Sequence, residues 1–128
     1  MGIARLYSAD VYVRDVERAL AFYVDARGLE KRVDEPVDEE GHRWVEVGPK
    51  GAETALILSH GFGSWAAEKV GGWARVILAV EDMASTVADL KAKGIAFEDE
   101  AEESPWGIYA TVRDPDGNIL GLLQGNSG

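Results

Sequence analysis

The chain has no cysteine among its 128 residues, and that absence removes disulfides, thiolate nucleophiles and zinc–thiolate sites together. Histidine is nearly as scarce. Only His42 and His60 are present, without the His-x-x-x-His spacing that offers two imidazoles to one metal. No apolar run approaches the roughly eighteen residues of a membrane span. The first residues also lack the basic-then-apolar order of an export signal, so a cytoplasmic chain with no membrane partner is expected. Basic residues are in deficit: 13 Lys and Arg stand against 23 Asp and Glu, a net charge of −10. Nucleic acid is therefore excluded as a partner, because phosphate binding needs clustered Lys and Arg. The acid excess serves solubility, and among ligands it would favour a cation.

What is present is a repeat. Val11-Tyr-Val-Arg-Asp15 hands over to Val16–Tyr23 and runs on to Gly28. A weaker copy, Leu78 to Leu90 running on to Gly94, follows 67 residues later. In the first copy Ala9, Val11 and Val13 alternate with Ser8, Asp10 and Tyr12, the period of a half-buried strand. Asp15 fits a helix N-cap, Val16, Ala19, Leu20 and Tyr23 form one apolar stripe, and Gly28 fits the stop. Strands are expected at 3–13, 30–33, 43–47 and 54–59, the last two as a hairpin around Gly48-Pro-Lys-Gly51.

The second copy predicts strands at 75–80, 95–98, 108–113 and 119–123. Its helix is capped by Asp82, and an Asp114-Pro-Asp-Gly-Asn118 turn precedes the last strand. Each copy thus reads β-α-β-β-β: residues 1–60 and 73–128, joined by a Gly-rich linker at 61–72, together one compact domain with a loose tail after Gln124. An apolar content of 46% suffices for the core.

The linker holds a decoy. Gly61-Phe-Gly63-Ser-Trp-Ala66, with Glu81 further on, matches a dinucleotide-binding fingerprint. Only Ser64 to Val70 remain for a crossover helix before Gly71-Gly72, fewer than the ten to twelve residues or so that a parallel crossover needs.

Two tandem β-α-β-β-β units, the V-x-D-φ-x-x-A-φ-x-F-Y pattern of the first helix and the Asp114-Pro-Asp-Gly-Asn118 turn together resemble the vicinal oxygen chelate superfamily. Glyoxalase I, extradiol dioxygenases, fosfomycin resistance and bleomycin resistance proteins belong to it. The resemblance runs from Leu6 to Gln124 and implies an α+β fold: a curved, cup-shaped sheet of eight strands with helices outside. Catalytic members place a divalent metal in the cup on His, Gln or Glu ligands. The matching positions here are Ser8 and Arg75, each seven residues before a capping Asp, with Ile57 and Gly121 in the final strands. Neither alkyl side chains nor glycine can ligate, and arginine repels a cation. The resemblance is therefore to metal-free, bleomycin-resistance-like members, with no cofactor.

If Ser8 faces the cup, alternation puts Asp10, Tyr12, Ile57, Arg75, Ile77, Gly121 and Leu123 there as well. For the middle strands two arguments conflict. Burial places Trp44 and Glu46 inside, whereas alignment of the repeats matches Val45 and Val47 to the polar pair Thr111 and Arg113. Trp65 and Trp106 suit either the rim, where indoles stack on planar or cationic ligands, or the sheet ends; Trp73 suits a sheet end. The run from Glu98 to Glu103 reads as a solvated edge. Three functions follow. The first is sequestration of a planar antibiotic or metabolite, cationic ones included, by a homodimer like its bleomycin-resistance relatives. The second is a metal-dependent lyase or dioxygenase, and the third a metal-independent lyase or isomerase using Tyr12, Asp10 or Arg75 as acid–base groups.

Overall fold

The computed structural model describes residues 2–4, 6–26 and 28–125, with Ala26 by backbone alone. Most of the tail expected to be loose, from 126 on, lies outside the described residues. The chain forms two compact units, Met1–Val70 and Gly71–Gly128. Each is a four-stranded sheet with one helix, so the class is α+β and the tandem β-α-β-β-β order holds. No helix among the described residues is long and apolar enough to cross a membrane.

The first unit runs β1 (Ser8–Tyr12), α1 (Val16–Leu20), a π-helical continuation (Ala21–Ala26), β2 (Glu30–Pro36), β3 (Arg43–Gly48) and β4 (Ala55–Ser59). Its strand order is β1-β4-β3-β2, with β1 parallel to β4 and the other pairs antiparallel. Asp15 caps α1, its Oδ1 accepting from Glu17 N at 2.9 Å and Arg18 N at 3.2 Å. Gly28, at φ 73°, ends the helical run where a β-carbon would be penalised. The helical stretch is not uniform, since its second half widens to π geometry. There Phe22 and Tyr23, adjacent in sequence, are both buried and meet edge to face at 4.8 Å. Ala19 and Tyr23 are buried, as are Val11, Val45, Val47, Leu56 and Leu58 on one face of the sheet.

The second unit runs β5 (Gly72–Ala79), α2 (Met83–Ala92), β6 (Phe97–Ser104), β7 (Gly107–Arg113) and β8 (Asn118–Gly125), in the order β5-β8-β7-β6. Asp82 caps α2 through Ala84 N at 3.1 Å, and Gln124 Oε1 takes the Met83 amide at 2.6 Å. Met83 and Leu90 are buried, as are Ala110, Val112, Leu120 and Leu122 of the sheet. The strand expected at 95–98 continues through the acidic run. That run fills β6, the exposed edge of this sheet, where charge discourages pairing with another chain. The fingerprint-like segment at 61–66 leads into a single three-residue 3₁₀ turn, Ala67–Lys69, so no crossover helix exists.

Candidate functional site

Register decides which side chains share a face, because residues opposite each other in a ladder point the same way. In the first unit Asp10 lies opposite Ile57, and Ile57 opposite Glu46. These three form one row of a face that also carries Ser8, Tyr12, Ser59 and Trp44. The other face holds Val47 opposite Leu56 and Leu56 opposite Ala9, with Val45 and Val47 fully buried. The conflict over the middle strands thus ends with Trp44 and Glu46 on the Ser8 face. Alignment of the repeats misled because the two hairpin loops differ by one residue. Glu46 meets Ile57 eleven positions on, whereas Thr111 meets Gly121 ten positions on, so the counterpart of Glu46 is Thr111.

Glu46 is the best-held polar group on this face. It is only 6% exposed, and its Oε2 accepts from Tyr7 Oη at 2.9 Å and Trp44 Nε1 at 2.8 Å. The sequence reading missed Tyr7, which stands just before β1 and outside the alternation used to find the face. Asp10 sits one strand beyond Ile57. Partial burial raises its carboxyl above the ordinary value, and a hydrogen bond with Ser59 offsets part of that shift. Tyr12 is opposite Ser59.

In the second unit Ile77 lies opposite Gly121 and Gly121 opposite Thr111, while Ala79, Leu123 and Tyr109 form the next row. Trp73 pairs with Ile119 and is 45% exposed, so it does not plug a sheet end as expected. Arg75 lies between them in a bulge of β5, at φ 62°. Tyr109, unremarked in the sequence, fills the space over Gly121: a β-carbon there would meet its Oη at 2.7 Å. Thr111 Oγ1 is held by Asp99, taking its amide at 2.9 Å and donating to its carboxylate at 3.0 Å.

The remaining candidates are partly spent on structure. Trp65 donates from Nε1 to Val13 O at 3.0 Å and packs edge-on to His60 at 4.7 Å. His60 bonds the same carbonyl through Nδ1 at 2.9 Å, and His42 Nδ1 lies 2.7 Å from Asp38. Trp106 sits in the β6–β7 turn, 66% exposed.

Residues 5–122 match the sequence profile of the Glyoxalase/Bleomycin resistance protein/Dioxygenase superfamily. The chain belongs to that superfamily. It is 36% identical to TnmS3, an antibiotic binding protein from Streptomyces sp. CB03234, covering 98% of this chain and 99% of that one with a TM-score of 0.84. YetH of Bacillus subtilis, an uncharacterized protein, is 31% identical over 95% of this chain and 99% of its own. A probable lactoylglutathione lyase of Synechocystis is 29% identical, covering 91% of this chain and 92% of its own. The superfamily therefore offers both binding proteins and lyases as models.

The metal expected of its catalytic members finds no donor set at the four matched positions. Ser8 and Ile57 share one face of the first sheet and offer one hydroxyl and one alkyl group. The second sheet offers the Arg75 cation and, at Gly121, no side chain but the neighbouring phenol of Tyr109. Among the described residues no three His, Asp or Glu side chains are grouped to hold an ion.

Proposed function

We propose that this superfamily member is a metal-free binding protein that sequesters a planar antibiotic or metabolite. The observation that carries the reading is the end-to-end likeness to an antibiotic binding protein, at 36% identity and a TM-score of 0.84. The chemistry of the faces supports it. On the face of the first unit Trp44 supplies an indole for stacking and Asp10 with Glu46 favours a cationic group on a ligand; on the face of the second unit the exposed Trp73 and Ile77 supply an indole and apolar surface. Serine, isoleucine, arginine and glycine at the four matched positions support the metal-free half of the reading.

Titrating the protein with a panel of planar aromatic antibiotics while following tryptophan fluorescence tests it. Saturable quenching that weakens in Trp44→Leu is expected, and a flat response across the panel sinks the reading. We also propose a homodimer, as among bleomycin resistance proteins. Light scattering on the purified chain should give twice the 13.8 kDa chain mass.

A lyase is the second reading, favoured by the likeness to the probable lactoylglutathione lyase. Elemental analysis separates the two: one equivalent of Ni, Zn, Fe or Mn per purified chain would replace the binding reading with the enzymatic one.

A further inference from the structure

The second unit carries an arginine in a conformation that the backbone resists. Arg75 has φ 62°, and every other positive φ among the described residues belongs to glycine. A β-carbon is penalised there and glycine is not, so strain of this kind persists where the surrounding structure and its use demand it. The cause is visible in the ladder. From Trp73 to Ile77, β5 takes four steps while β8 takes two, from Ile119 to Gly121. The surplus residues form a bulge, and bulges re-aim side chains.

The charge on Arg75 is unspent. It makes no ion pair or side-chain hydrogen bond among the described residues, whereas every other described arginine is engaged. The acids of β6 stand three strands away at the opposite edge of the sheet, where Glu98 pairs with Arg113 and Asp99 with Thr111. Along β5 exposure alternates, and Arg75 falls on the exposed side with Trp73 and Ile77.

A second unspent donor stands beside this row. The Tyr109 hydroxyl has no partner among the described residues, and it lies next to Ile77 over Gly121. Ile77 thus has a guanidinium two residues before it along β5 and a phenolic O–H beside it over Gly121. Arginine only donates, and its planar fork matches a planar anionic group.

We infer that Arg75 and Tyr109 form an oxyanion subsite that receives a carboxylate or phenolate carried on a planar apolar ligand. The inference rests on the binding reading above and adds a charge requirement to it.

Three flat probes of one size test it: 2-naphthoate, 2-naphthamide and 2-naphthylmethylammonium, each titrated by tryptophan fluorescence and calorimetry. Naphthoate should bind roughly tenfold tighter than the amide, the scale of a hydrogen bond to a charged group. Arg75→Gln should bring the two together, Arg75→Lys should keep part of the difference, and Tyr109→Phe should weaken naphthoate a few-fold without touching the amide. Arg75→Gly controls for folding: relief of strain should raise its melting temperature while the naphthoate preference disappears. Equal binding of naphthoate and the amide, or a naphthoate preference that survives Arg75→Gln, overturns the oxyanion subsite and leaves the binding reading standing, whatever affinity Asp10 and Glu46 give the ammonium. Failure of all three probes to bind at millimolar concentration overturns both.

Discussion

The phenol of Tyr109 occupies the volume that a side chain at Gly121 would need, with Oη 2.7 Å and Cε2 3.0 Å from the β-carbon position. The two residues are therefore coupled. Gly121→Ala should cost about 1–3 kcal/mol, the usual penalty of overpacking, and should displace the ring. Paired with Tyr109→Ala, the same substitution should cost less than the sum of the single changes. A double-mutant cycle by urea denaturation reads the coupling, and additivity would mean that the ring swings aside freely.

Arg43 clasps Asp34 with both arms of its guanidinium, Nε to Oδ1 at 2.9 Å and Nη2 to Oδ2 at 2.6 Å, and extends Nη1 to Glu17. The cation holds the Asp34 carboxyl well below its ordinary value of 3.8. A depressed carboxyl stabilises the fold above its unfolded value and loses that contribution as pH falls through the folded one. Arg43→Ala should therefore lose about 1 kcal/mol at neutral pH, since both partners keep some solvent contact. The gap to the parent should narrow in melts taken below pH 3.8.

Asp10 is shifted the other way. Burial raises its carboxyl, so the folded chain prefers the protonated form. Stability from this group is greatest below the ordinary value of 3.8 and declines as pH rises through the folded value. Asp10→Asn should raise the melting temperature slightly at neutral pH and leave it unchanged in acid. A lower melting temperature at neutral pH would mean that the charged form is stabilised after all.

The Asp114 side chain organises the β7–β8 turn. Its Oδ1 accepts from the amides of Asp116 and Asn118, both at 2.9 Å, and its Oδ2 from Asn118 Nδ2 at 2.8 Å. All three residues are buried, so Asp114→Ala leaves donors without partners and should cost about 2–3 kcal/mol. Asp114→Asn should recover part of that loss, as denaturant midpoints will read.

Much of the fold was legible in order of sequence, because the signals are local. Asp15 and Asp82 cap helices that begin at the next residue, and Gly28 and Gly94 stop them at φ 73° and 80°. Alternation from Ser8 to Val13 found the open and covered sides of β1. Legibility failed where a local signal was ambiguous. The run from Glu98 to Glu103 read as a solvated edge, but the strand was expected to stop at Glu98, because consecutive charges hide the alternation of an edge strand that continues to Ser104. Trp73 looked like a plug because indoles are usually buried, yet its ring lies on an open face.

By itself the sequence determined the two units, their caps and turns, the family they resemble and the four positions at which a metal ligand would have to appear. Those features depend on residues within a helical turn or a strand period of one another, so spacing suffices to read them. Only the tertiary structure placed Glu46 under Tyr7 and Trp44, set Tyr109 over Gly121 and bent β5 at Arg75. Each depends on how one strand registers against another. A one-residue difference in a hairpin loop shifts that register, and no count along the chain reveals it.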